Sequence, residues 1–522
     1  MKGAIAAGHP STAEAGARVL AEGGNAVDAC IAAAFVSWVA ESPLTGPGAG
    51  GFMLVHRARD RRDRVLDFFA ATPGRGLADG VDAGEMQSVD IAFDARNVQR
   101  FFVGAAACAV PGTVAGLAEA HRLYATLPWS ELVAPAVELA REGVELTPAQ
   151  ALLHSLLAPI LRLGDEGRRV YGADGAIAAG ARIPMDELAA TLAQLAEEGP
   201  EGFYRGDLAR RVAAHVRELG GRITEDDLAA YRVVARAPVR AAFRDGEFVS
   251  NPPPSSGGVL IAFALRILER AAPPRDAGTA AAIALLAEVM REAAAARGAP
   301  FASSLYRGGL AARLLADATV DEAALRIRRA IRMPAHDAVG LPSTTHVSVV
   351  DAAGNAVSLS ASTGSGSGVV VPGTGIHLNN MLGEEDLNPA RVRARPGRRL
   401  TSMMSPSLVL ADGRPRLVVG SAGSVRLRAA ILQIVVNVVD HGMRVEEAIA
   451  APRVHLEDER LHVEKGVRPE VVDALEGLGY DVVRWGDLNP FFGGASAVAL
   501  RADGELEAAG DPRRGGAGLV VA

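Results

Sequence analysis

Apolar residues recur at helical spacing through much of the chain before Leu341. Between positions 111 and 240, the segments PGTVAGLAEAHRLY, WSELVAPAVELAREG and MDELAATLAQLAEEG carry apolar residues at i, i+3 and i+4, which is the spacing of one helix face. The stretch 275–340 is rich in Ala and Arg and has the same character. We therefore expect the larger, first part of the chain to be mainly helical.

The N-terminal segment carries start and stop signals for two helices. Ser11 and Glu14 have the spacing of a capping box, so we expect a helix to begin there and to end at the following Gly-Gly pair. Asn25 can cap a second helix, which is predicted to run towards Ser42.

The glycine-rich segment after this helix, TGPGAGGFMLVHR, is predicted to be a turn that leads into a strand. Gly46, Gly48 and Gly51 match the G-x-G-x-x-G fingerprint of dinucleotide-binding proteins. That fingerprint requires the order strand, loop, helix, whereas the order here is helix, loop, strand. We therefore interpret these glycines as positions where two backbones pack closely.

The pattern changes after Leu341, where apolar and polar residues begin to alternate as in strands. Thr345–Val350 and Ala356–Ser360 alternate on either side of a DAAGN turn, which predicts a hairpin. Further strands are predicted at 407–410, 416–419, 496–502 and 505–509, with a helix at 428–440. A helical first part followed by a strand-rich last third favours an α+β sandwich.

Composition and charge narrow the possible partners. The 522 residues include 54 Lys and Arg against 61 Asp and Glu, and the resulting net charge of −7 argues against binding to nucleic acid. Cys30 and Cys108 lie in small apolar runs, so we expect buried free thiols rather than a disulfide or a metal pair. No Cys-His cluster has metal-ligand spacing, and we expect no metal or other cofactor.

The N-terminus, MKGAIAAGHPSTAEAG, lacks the apolar core and the cleavage site of a secretory signal. The most apolar helical stretch, Ala29 to Ala40, is too short to cross a bilayer. We therefore expect a soluble cytoplasmic protein that does not bind membranes.

Common nucleophile and phosphate-binding motifs are missing from the sequence, which contains no G-x-S-x-G, G-K-[ST] or H-E-x-x-H. The segment PSTTHVSVVD instead places Thr344 and Thr345 at the entry of a predicted strand. They are either ordinary β-branched strand residues or the site of a cut before Thr344, which would leave a threonine with a free α-amine. Such an amine has a pKa of about 7.7–8.0, so it can take the proton of its own hydroxyl near neutral pH.

Ordered blocks along the whole sequence carry a resemblance to a known family. They are HPSTAEAGARVLAEGGNAVDA, GFMLV, VPGTVAGLAEA, GPEGFYRGDLA, ITEDDLAAY, PPPSSGG, TTHVSVVDAAGNAVSLS, VPGTGIHLNN, SMMSPSLVL and DPR. Together they resemble gamma-glutamyltranspeptidases over essentially the full length of the chain. The resemblance implies the four-layer αββα sandwich of the N-terminal nucleophile hydrolases, without a cofactor.

The resemblance also implies self-cleavage before the first Thr of the TTH block, here between Ser343 and Thr344. The large subunit would be 1–343, mainly helical with some strands of the sandwich. The small subunit, 344–522, would begin with the nucleophile, and the two fragments would stay together as one structural unit. Thr344 would then attack an amide, and the acyl group would pass to water or to a second amine.

Other site residues follow from the same resemblance. The backbone N–H donors for the oxyanion correspond to Gly423-Ser424, where the family has Gly-Gly. A second family threonine, which bonds the nucleophile, corresponds to Ser362. The residues that would contact the small-molecule substrate are Glu384, Thr401, Ser402, Thr363, Met381 and Phe69.

Several of these positions depart from the family. Phe69 stands where the family has an arginine for the glutamyl α-carboxylate, and loss of such a partner costs about 3–5 kcal/mol. Met381 replaces a Gln or Glu, whereas Glu384 keeps a negative charge for the α-amine and Thr401-Ser402 keep two hydroxyls. The interval between Glu384 and Thr401 is short, which implies that the family's lid is missing and that larger or polymeric substrates can enter.

Three functions stay open at this point. The first is a gamma-glutamyltransferase or glutathione hydrolase in which another arginine binds the carboxylate, with Arg393, Arg395, Arg398 and Arg399 as candidates. The second is a related acylase of the glutaryl or cephalosporin type. The third is a non-catalytic relative that keeps the fold as a binding or structural protein.

Nearby polar residues are predicted to be structural. His346 follows the nucleophile within a strand and is expected to make structural hydrogen bonds, and His377 is expected to pack. Asp351 and Asn355 are expected to form the hairpin turn. No histidine is required as a base, because the α-amine supplies one.

Overall fold

The computed structural model describes residues 2–78, 84–92, 98–175, 177–271, 276–298, 300–329, 344–384, 387, 395–457 and 459–522. Its α-helices are α1 (Pro10–Ala21), α2 (Ala26–Ala40), α3 (Thr113–Tyr124), α4 (Trp129–Glu142), α5 (Pro148–Leu161), α6 (Asp165–Tyr171), α7 (Asp186–Glu198), α8 (Glu201–Arg205), α9 (Asp207–Glu218), α10 (Glu225–Ala229), α11 (Gly257–Ala271), α12 (Ala280–Ala295), α13 (Phe301–Arg307), α14 (Leu310–Leu314), α15 (Asp317–Arg329), α16 (Leu427–Val439), α17 (Val445–Ala450) and α18 (Pro469–Gly477). Its β-strands are β1 (Gly3–Ala7), β2 (Gly50–Arg57), β3 (Arg62–Phe68), β4 (Gln87–Ala92), β5 (Val98–Val103), β6 (Val144–Glu145), β7 (Arg182–Ile183), β8 (Val234–Arg236), β9 (Val239–Phe243), β10 (Gly246–Ser250), β11 (Thr345–Asp351), β12 (Ala356–Ser362), β13 (Val370–Val371), β14 (Ile376–His377), β15 (Ser407–Ala411), β16 (Arg414–Ala422), β17 (Val454–Glu457), β18 (Arg460–Val463), β19 (Asp481–Arg484), β20 (Gly494–Leu500), β21 (Leu506–Gly510) and β22 (Ala517–Val521).

Two antiparallel sheets form the centre of the fold. The first sheet has the strand order β22-β1-β11-β12-β2-β3-β8, and the second has the order β21-β20-β16-β15-β10-β9. In the first sheet, β1 lies between β22 and β11, and β12 pairs with β2. Strands from before and after Thr344 are therefore hydrogen-bonded to each other within one sheet.

Apolar side chains fill the spaces between the layers. On β2, Phe52 and Leu54 belong to the cluster between the two sheets, whereas Met53 and Val55 pack with helices such as α1 and α2. This alternation follows from the two-residue period of a strand whose faces are both buried. The outer face of the second sheet packs against α11, α12, α16 and α17. The order helix, sheet, sheet, helix confirms the predicted αββα sandwich.

The first two helices show which capping signals are used. For α2, Asn25 is the N-cap as predicted, and its side chain forms a capping box with Asp28. For α1, the predicted cap at Ser11 is wrong: the helix begins at Pro10, and the Nδ1 atom of His9 accepts a hydrogen bond from the N–H of Ser11 (3.0 Å). Proline suits the first helical position because no N–H is needed there.

The predicted hairpin and its turn are confirmed. β11 and β12 pair in register, and Asp351 Oδ1 accepts hydrogen bonds from the N–H groups of Ala353 (3.0 Å) and Asn355 (2.9 Å). Asp351 Oδ2 also accepts a hydrogen bond from the N–H of Ala26 (3.0 Å), at the start of α2. The turn therefore ties the hairpin to the helix beneath it.

We interpreted the three motif glycines of the turn before β2 as positions of close backbone packing. The structure confirms this interpretation at two of them. A Cβ atom at Gly48 would lie 2.3 Å from the carbonyl oxygen of His377, and one at Gly51 would lie 2.3 Å from that of Ser360. The interpretation is wrong for Gly46, where a Cβ atom would have no neighbour within 4 Å.

The remaining predictions from composition can also be compared with the structure. Cys30 and Cys108 are buried free thiols. Within the described residues, no group of three or more His, Cys, Asp or Glu side chains could hold a metal ion. None of the described helices has the length and apolar character that a bilayer crossing requires.

Candidate active site

Thr344 directly precedes β11, at one end of the first sheet, and is only 7% exposed. Its neighbour Thr345 pairs with Ala361 on β12, and Ser362 pairs with Gly50 on β2. Antiparallel register therefore places Thr344, Ser362 and Gly50 in one row across three adjacent strands. The nucleophile predicted from the sequence is thus at a sheet end, where a cut is compatible with the fold.

Ser362 lies next to Thr344 in this row, at the position that the family resemblance predicts. Its side chain is buried, and its Oγ accepts a hydrogen bond from the N–H of Gly364 (2.8 Å). Ser343, on the other side of the predicted cut, lies outside the described residues.

A buried carboxylate holds the residue that follows the nucleophile. Glu41, directly after α2, accepts hydrogen bonds from the hydroxyls of Thr345 and Thr12, the latter at 3.0 Å. Burial raises the pKa of Glu41 to about 7, against the opposing effects of these two hydroxyls and of the charge of Arg514. A group beside the nucleophile therefore titrates near neutral pH.

A buried arginine holds the main chain of the nucleophile itself. Nη1 of Arg514 donates to the carbonyl oxygen of Thr344 at 3.4 Å. Burial lowers the pKa of Arg514 to about 10, and the charges of Asp511 and Glu41 oppose that shift. The guanidinium is therefore charged at neutral pH, and it orients the peptide group that follows Thr344.

Two glycines leave the space that these charged side chains occupy. A Cβ atom at Gly8 would lie 2.2 Å from Oε2 of Glu41, and one at Gly494 would lie 2.2 Å from Cδ of Arg514. Gly494 pairs with Ala422 at the end of β16. Arg514 therefore passes beside the strand that leads to the predicted oxyanion turn.

A buried ion network anchors the segment that carries Arg514. Asp511 lies 2.7 Å from Arg453 and 3.1 Å from Arg513, and Arg513 also pairs with Glu464. All of these side chains are buried. Charges at this depth are tolerated when each has an opposite charge nearby, so the DPR block is fixed beside the site.

Gly423 and Ser424 form the turn between β16 and α16, as the resemblance predicts for the oxyanion donors. Their φ angles are 140° and 46°. The left-handed region costs a residue with a Cβ atom about 1–2 kcal/mol. Such strain is typical of turns that must aim backbone groups in a fixed direction. Ser424 therefore adopts a left-handed conformation that a glycine adopts at lower cost.

His346 joins the strand of the nucleophile to the strand of the oxyanion turn. Its Nδ1 and Nε2 atoms lie 2.8 Å from Oγ of Ser360 and 3.0 Å from Oγ of Ser348. Its ring packs against Gly420 on β16, where a Cβ atom would lie 2.2 Å from the ring. Ser348 Oγ also donates to the carbonyl oxygen of Ser496 on β20 (3.0 Å).

These contacts confirm the structural role predicted for His346. Burial lowers its pKa to about 3, so the ring is neutral at neutral pH. Thr344 is two positions from His346, and Gly423 is three positions from Gly420. The ring therefore links the strand that begins after Thr344 to the strand that ends before Gly423. His377 is also buried, and its Nε2 accepts a hydrogen bond from a backbone N–H (3.0 Å).

An apolar wall lies at the far end of the row that contains Thr344. Phe69 directly follows β3 and continues this row, because β3 pairs in register with β2. The ring of Phe69 stacks on Phe52 with centroids 5.4 Å apart, and Met381 is buried in the same cluster. At about 4.8 Å per strand, the backbones of Thr344 and Phe69 are about 14 Å apart.

Arg399, one candidate to replace the family's arginine, forms an ion pair with the carboxylate of Asp67. It lies 3.2 Å from Asp67 and donates to Oη of Tyr231 (2.6 Å). Asp67 is fully buried and has Arg236 as its other cationic partner (2.7 Å). Because a buried carboxylate needs these partners, Arg399 is not available for a substrate.

The other candidate arginines lie further out. The guanidinium of Arg398 stacks over the ring of Tyr306, 3.6 Å from its centroid. Arg395 is exposed, and Arg393 lies outside the described residues.

Glu384 brings a negative charge close to the end of β12. Its Oε1 accepts a hydrogen bond from the N–H of Ser365 (3.3 Å), which also donates to Oδ1 of Asn380 (2.9 Å). A Cβ atom at Gly364 would lie 2.0 Å from that Asn380 oxygen, so glycine is required there. Most of the interval from Glu384 to Thr401 lies outside the described residues, and the absence of a lid stays a prediction.

The hydroxyls of three predicted contact residues already bond the main chain. Thr401 donates to the carbonyl oxygen of Leu387 (2.7 Å), and Ser402 Oγ accepts from the N–H of Met404 (3.1 Å). Thr363 donates to a carbonyl oxygen in the loop after α2 (3.5 Å). These bonds orient the three side chains without a ligand.

Glu41 and Arg514 are the site residues that the sequence analysis missed. A single acidic residue directly after a 15-residue apolar helix is the signal that could have identified Glu41. Arg514 directly follows the DPR block, which was recognised only as part of the resemblance. Nothing local in either segment indicates that both meet the Thr344-Thr345 pair.

Comparisons with known proteins agree with this geometry. A family model described as Gamma-glutamyltranspeptidase matches residues 12–521. The Acylase ACY 1 proenzyme of Pseudomonas sp. (strain V22) is 34% identical over 100% of this chain and 94% of its own length. The Glutathione hydrolase proenzyme of Escherichia coli (strain K12) is 33% identical over 98% of this chain and 90% of its own length. The crystal structure of cephalosporin acylase from Bacillus halodurans superposes with a TM-score of 0.83 at 25% identity, and the match covers 99% of this chain and 95% of that one.

Proposed function

The chain belongs to the gamma-glutamyltranspeptidase family, and on this basis we propose a self-processing gamma-glutamyltransferase or glutathione hydrolase with Thr344 as nucleophile. The position of Thr344 is the observation that carries the proposal. It lies in one row with Ser362, and the ring of His346 joins its strand to the strand that ends at Gly423-Ser424.

Processing begins with the hydroxyl of Thr344. Its Oγ attacks the carbonyl carbon of Ser343, the peptide C–N bond breaks, and an ester forms. Water then hydrolyses the ester, which leaves a carboxylate on Ser343 and an α-amine on Thr344. The products are 1–343 and 344–522.

The two fragments stay together because their strands are interleaved. In the first sheet, β1, β2, β3 and β8 come from the first fragment, and β11, β12 and β22 come from the second. In the second sheet, β9 and β10 come from the first fragment, and β10 pairs with β15 of the second fragment. Separation would break backbone hydrogen bonds in both sheets and expose the apolar clusters between layers.

The freed α-amine supplies the base for turnover. It takes the proton from Thr344 Oγ as this atom attacks the amide carbon of the substrate, and the same proton is passed to the departing amine. The N–H groups at Gly423-Ser424 stabilise the negative oxygen of the tetrahedral intermediate, and each such donor lowers the barrier by about 2.7–4 kcal/mol. Water or a second amine then releases the acyl group.

Glu384 supports a gamma-glutamyl group as the acyl donor, because its carboxylate can pair with the substrate α-amine. Ser402 and Thr401 add hydroxyls in fixed orientations. Glutathione and related amides are therefore the proposed substrates, and free amino acids or peptides are the proposed acceptors.

A specific observation favours a second candidate, an acylase for less polar acyl groups. Phe69 and Met381 form a buried apolar wall where the family has polar side chains, and Arg399 is held by Asp67. Such a wall has no cation for the α-carboxylate of a glutamyl group. The acylase relative named above fits this alternative.

Four anilide substrates separate the two candidates. The gamma-glutamyl anilide carries an amine and a carboxylate, the glutaryl anilide only the carboxylate, the 4-aminobutanoyl anilide only the amine, and the butanoyl anilide neither. For a gamma-glutamyl enzyme, we expect kcat/KM to fall at least about tenfold when the amine is removed, because a charged hydrogen bond contributes about 1.5–3 kcal/mol. Equal or faster cleavage of the glutaryl or the butanoyl anilide would reject the gamma-glutamyl assignment and favour the acylase.

Glu384→Gln is the matched control for these measurements. It keeps the shape of the side chain and removes its charge, so it should abolish the advantage of the amine-bearing anilides. The rates on the glutaryl and butanoyl anilides should change little. If the rates on all four substrates fall by the same factor, Glu384 does not bind the substrate amine.

A further inference from the structure

A cavity of about 180 Å³ lies behind the oxyanion turn, outside the row of Thr344. Its wall is largely apolar and comes mainly from α11, α12, α16 and β17, with Leu260, Ile261, Met290 and Leu432 among the side chains. Five charged side chains also line it: Arg291, Arg297, Arg428, Glu457 and Glu459. An apolar cavity of about 150 Å³ is large enough to hold a benzene molecule. The cavity therefore has room for one six-membered ring with a small substituent.

The lining contains a buried ring nitrogen that has no hydrogen-bond partner in the described part of the chain. His455 on β17 is only 7% exposed, and its Nδ1 has no hydrogen-bond partner among the described residues. Burial and the nearby charge of Arg426 hold the pKa of His455 well below its ordinary value, so the imidazole is neutral. Its Nε2 lies 3.8 Å from Oε2 of Glu457, too far for a hydrogen bond, but the negative charge there favours the tautomer with its proton on Nε2, which leaves Nδ1 as an acceptor.

An unsatisfied hydrogen-bond acceptor in an apolar cavity favours a ligand that is mostly apolar and carries one donor. Leaving a buried acceptor without a donor is unfavourable. A water molecule needs two to four polar partners, whereas a ring with a single hydroxyl needs only one. The size of the cavity and its acceptor therefore both fit a small neutral phenol.

The cavity also contacts the turn that serves catalysis. Val425 directly follows Gly423-Ser424, and it lines the cavity together with Arg428. Nε of Arg428 donates to the carbonyl oxygen of Val425 (3.3 Å). A ligand in the cavity would thus touch the residue after the oxyanion donors and the side chain that holds it.

We propose that this cavity is a second small-molecule site, which binds a neutral, ring-sized molecule with one hydroxyl donor and thereby alters the oxyanion turn. The hydroxyl donates to Nδ1 of His455, and the ring lies against Ile261 and Leu432. Binding here does not depend on which acyl group the active site accepts.

Calorimetric titration of the purified enzyme with phenol and with anisole tests the site. Anisole has the same ring but no donor, so we expect phenol to bind at least about tenfold more tightly, as one buried hydrogen bond predicts. In His455→Phe, the two affinities should become equal. Equal affinities in the wild type, or a phenol preference that survives in His455→Phe, would overturn the assignment.

A filled cavity gives a second test. Ala264→Leu adds a side chain into the cavity from α11 and should abolish binding of both compounds, whereas Ala281→Leu, on the exposed face of α12, should bind as the wild type does. Saturating phenol should change kcat at least twofold in the wild type and in Ala281→Leu but not in Ala264→Leu. Unchanged binding in Ala264→Leu would reject the site, and binding without any change in kcat would reject its link to the oxyanion turn.

Discussion

The two ends of the row that begins at Thr344 differ in chemistry. At the nucleophile, Glu41 and Arg514 hold the Thr344-Thr345 pair with buried, opposite charges. At the far end, Phe69 presents a stacked ring and no charge. The proposed reaction therefore depends on the polar end, and the proposed choice of acyl group depends on the apolar end, which has no cation for a glutamyl carboxylate among its described residues.

Removal of the buried cation should have the largest effect at the polar end. In Arg514→Met, Glu41 and Asp511 lose a nearby opposite charge, and we expect the free energy of unfolding to fall by about 3–5 kcal/mol. Urea unfolding at pH 7.5 measures this loss. Arg460→Met, at a side chain that is 62% exposed, is the control and should change stability by less than about 1 kcal/mol. Similar losses of stability in both variants would show that the charge of Arg514 contributes no more to stability than an exposed charge does.

The titration of Glu41 should make stability depend on pH. Its pKa in the folded state is about 7, above the ordinary value of 4.5, so between these pH values the folded state holds a proton that the unfolded chain has lost. Stability should therefore fall as pH rises through this window, by up to about 3 kcal/mol. Glu41→Gln should flatten this part of the curve, measured by urea unfolding from pH 4.5 to 8.

The control for that curve is Glu476→Gln, at a side chain that is 44% exposed. It should leave the slope between pH 4.5 and 7 as it is in the wild type. A wild-type slope that persists in Glu41→Gln would assign the proton to another group.

At the apolar end, a polar side chain should change selectivity more than stability. Met381→Gln restores an amide of the kind that the family has, and burial of the amide should cost about 1–3 kcal/mol. The ratio of rates on the gamma-glutamyl and butanoyl anilides should rise. Met53 is buried on the helix side of the first sheet, so Met53→Gln should lower stability by a similar amount and leave the ratio unchanged. If the ratio of the two rates is the same in both variants, Met381 does not contact the acyl group.

The smallest effect is expected at the oxyanion turn. Ser424→Gly relieves about 1–2 kcal/mol of left-handed strain and costs about 0.5–1 kcal/mol of chain entropy, so it should stabilise the protein by about 0.5–1 kcal/mol. Asp412→Gly, in a turn with φ of 49°, should give a similar gain. Only Ser424→Gly should also change kcat. Thermal unfolding and anilide kinetics on both variants make the comparison.

Periodicity predicts the helical first part and the strands of the last third, because it records which faces are buried, whereas the order of the layers followed from the family resemblance. The hairpin around Asp351 and the cap at Asn25 were predicted from local signals alone. The cap at Ser11 was mispredicted because the helix begins one residue earlier, at Pro10, where the ring of His9 accepts a hydrogen bond from the N–H of Ser11. The interpretation of Gly46 failed because open space around a glycine leaves no mark in the sequence.

The site is predicted only where the family resemblance marks it. Thr344 and Gly423-Ser424 were both assigned from the family resemblance, because the threonine pair alone also fits an ordinary strand. Glu41 and Arg514 reach Thr344 from segments that are hundreds of positions apart, so no spacing rule connects them. The cytoplasmic location and the division into 1–343 and 344–522 stay predictions.

The central claim is that Thr344 becomes an N-terminal residue before it acts. An intact-mass spectrum of the purified wild type, Thr344→Ser and Thr344→Ala tests this directly, with hydrolysis of the gamma-glutamyl anilide measured on the same samples. We expect two fragments ending at Ser343 and beginning at Thr344 in the wild type, the same cut in Thr344→Ser, and one uncut, inactive chain of 53.9 kDa in Thr344→Ala. A wild-type enzyme that is active as an uncut chain, or a cut that persists in Thr344→Ala, would contradict the proposed mechanism.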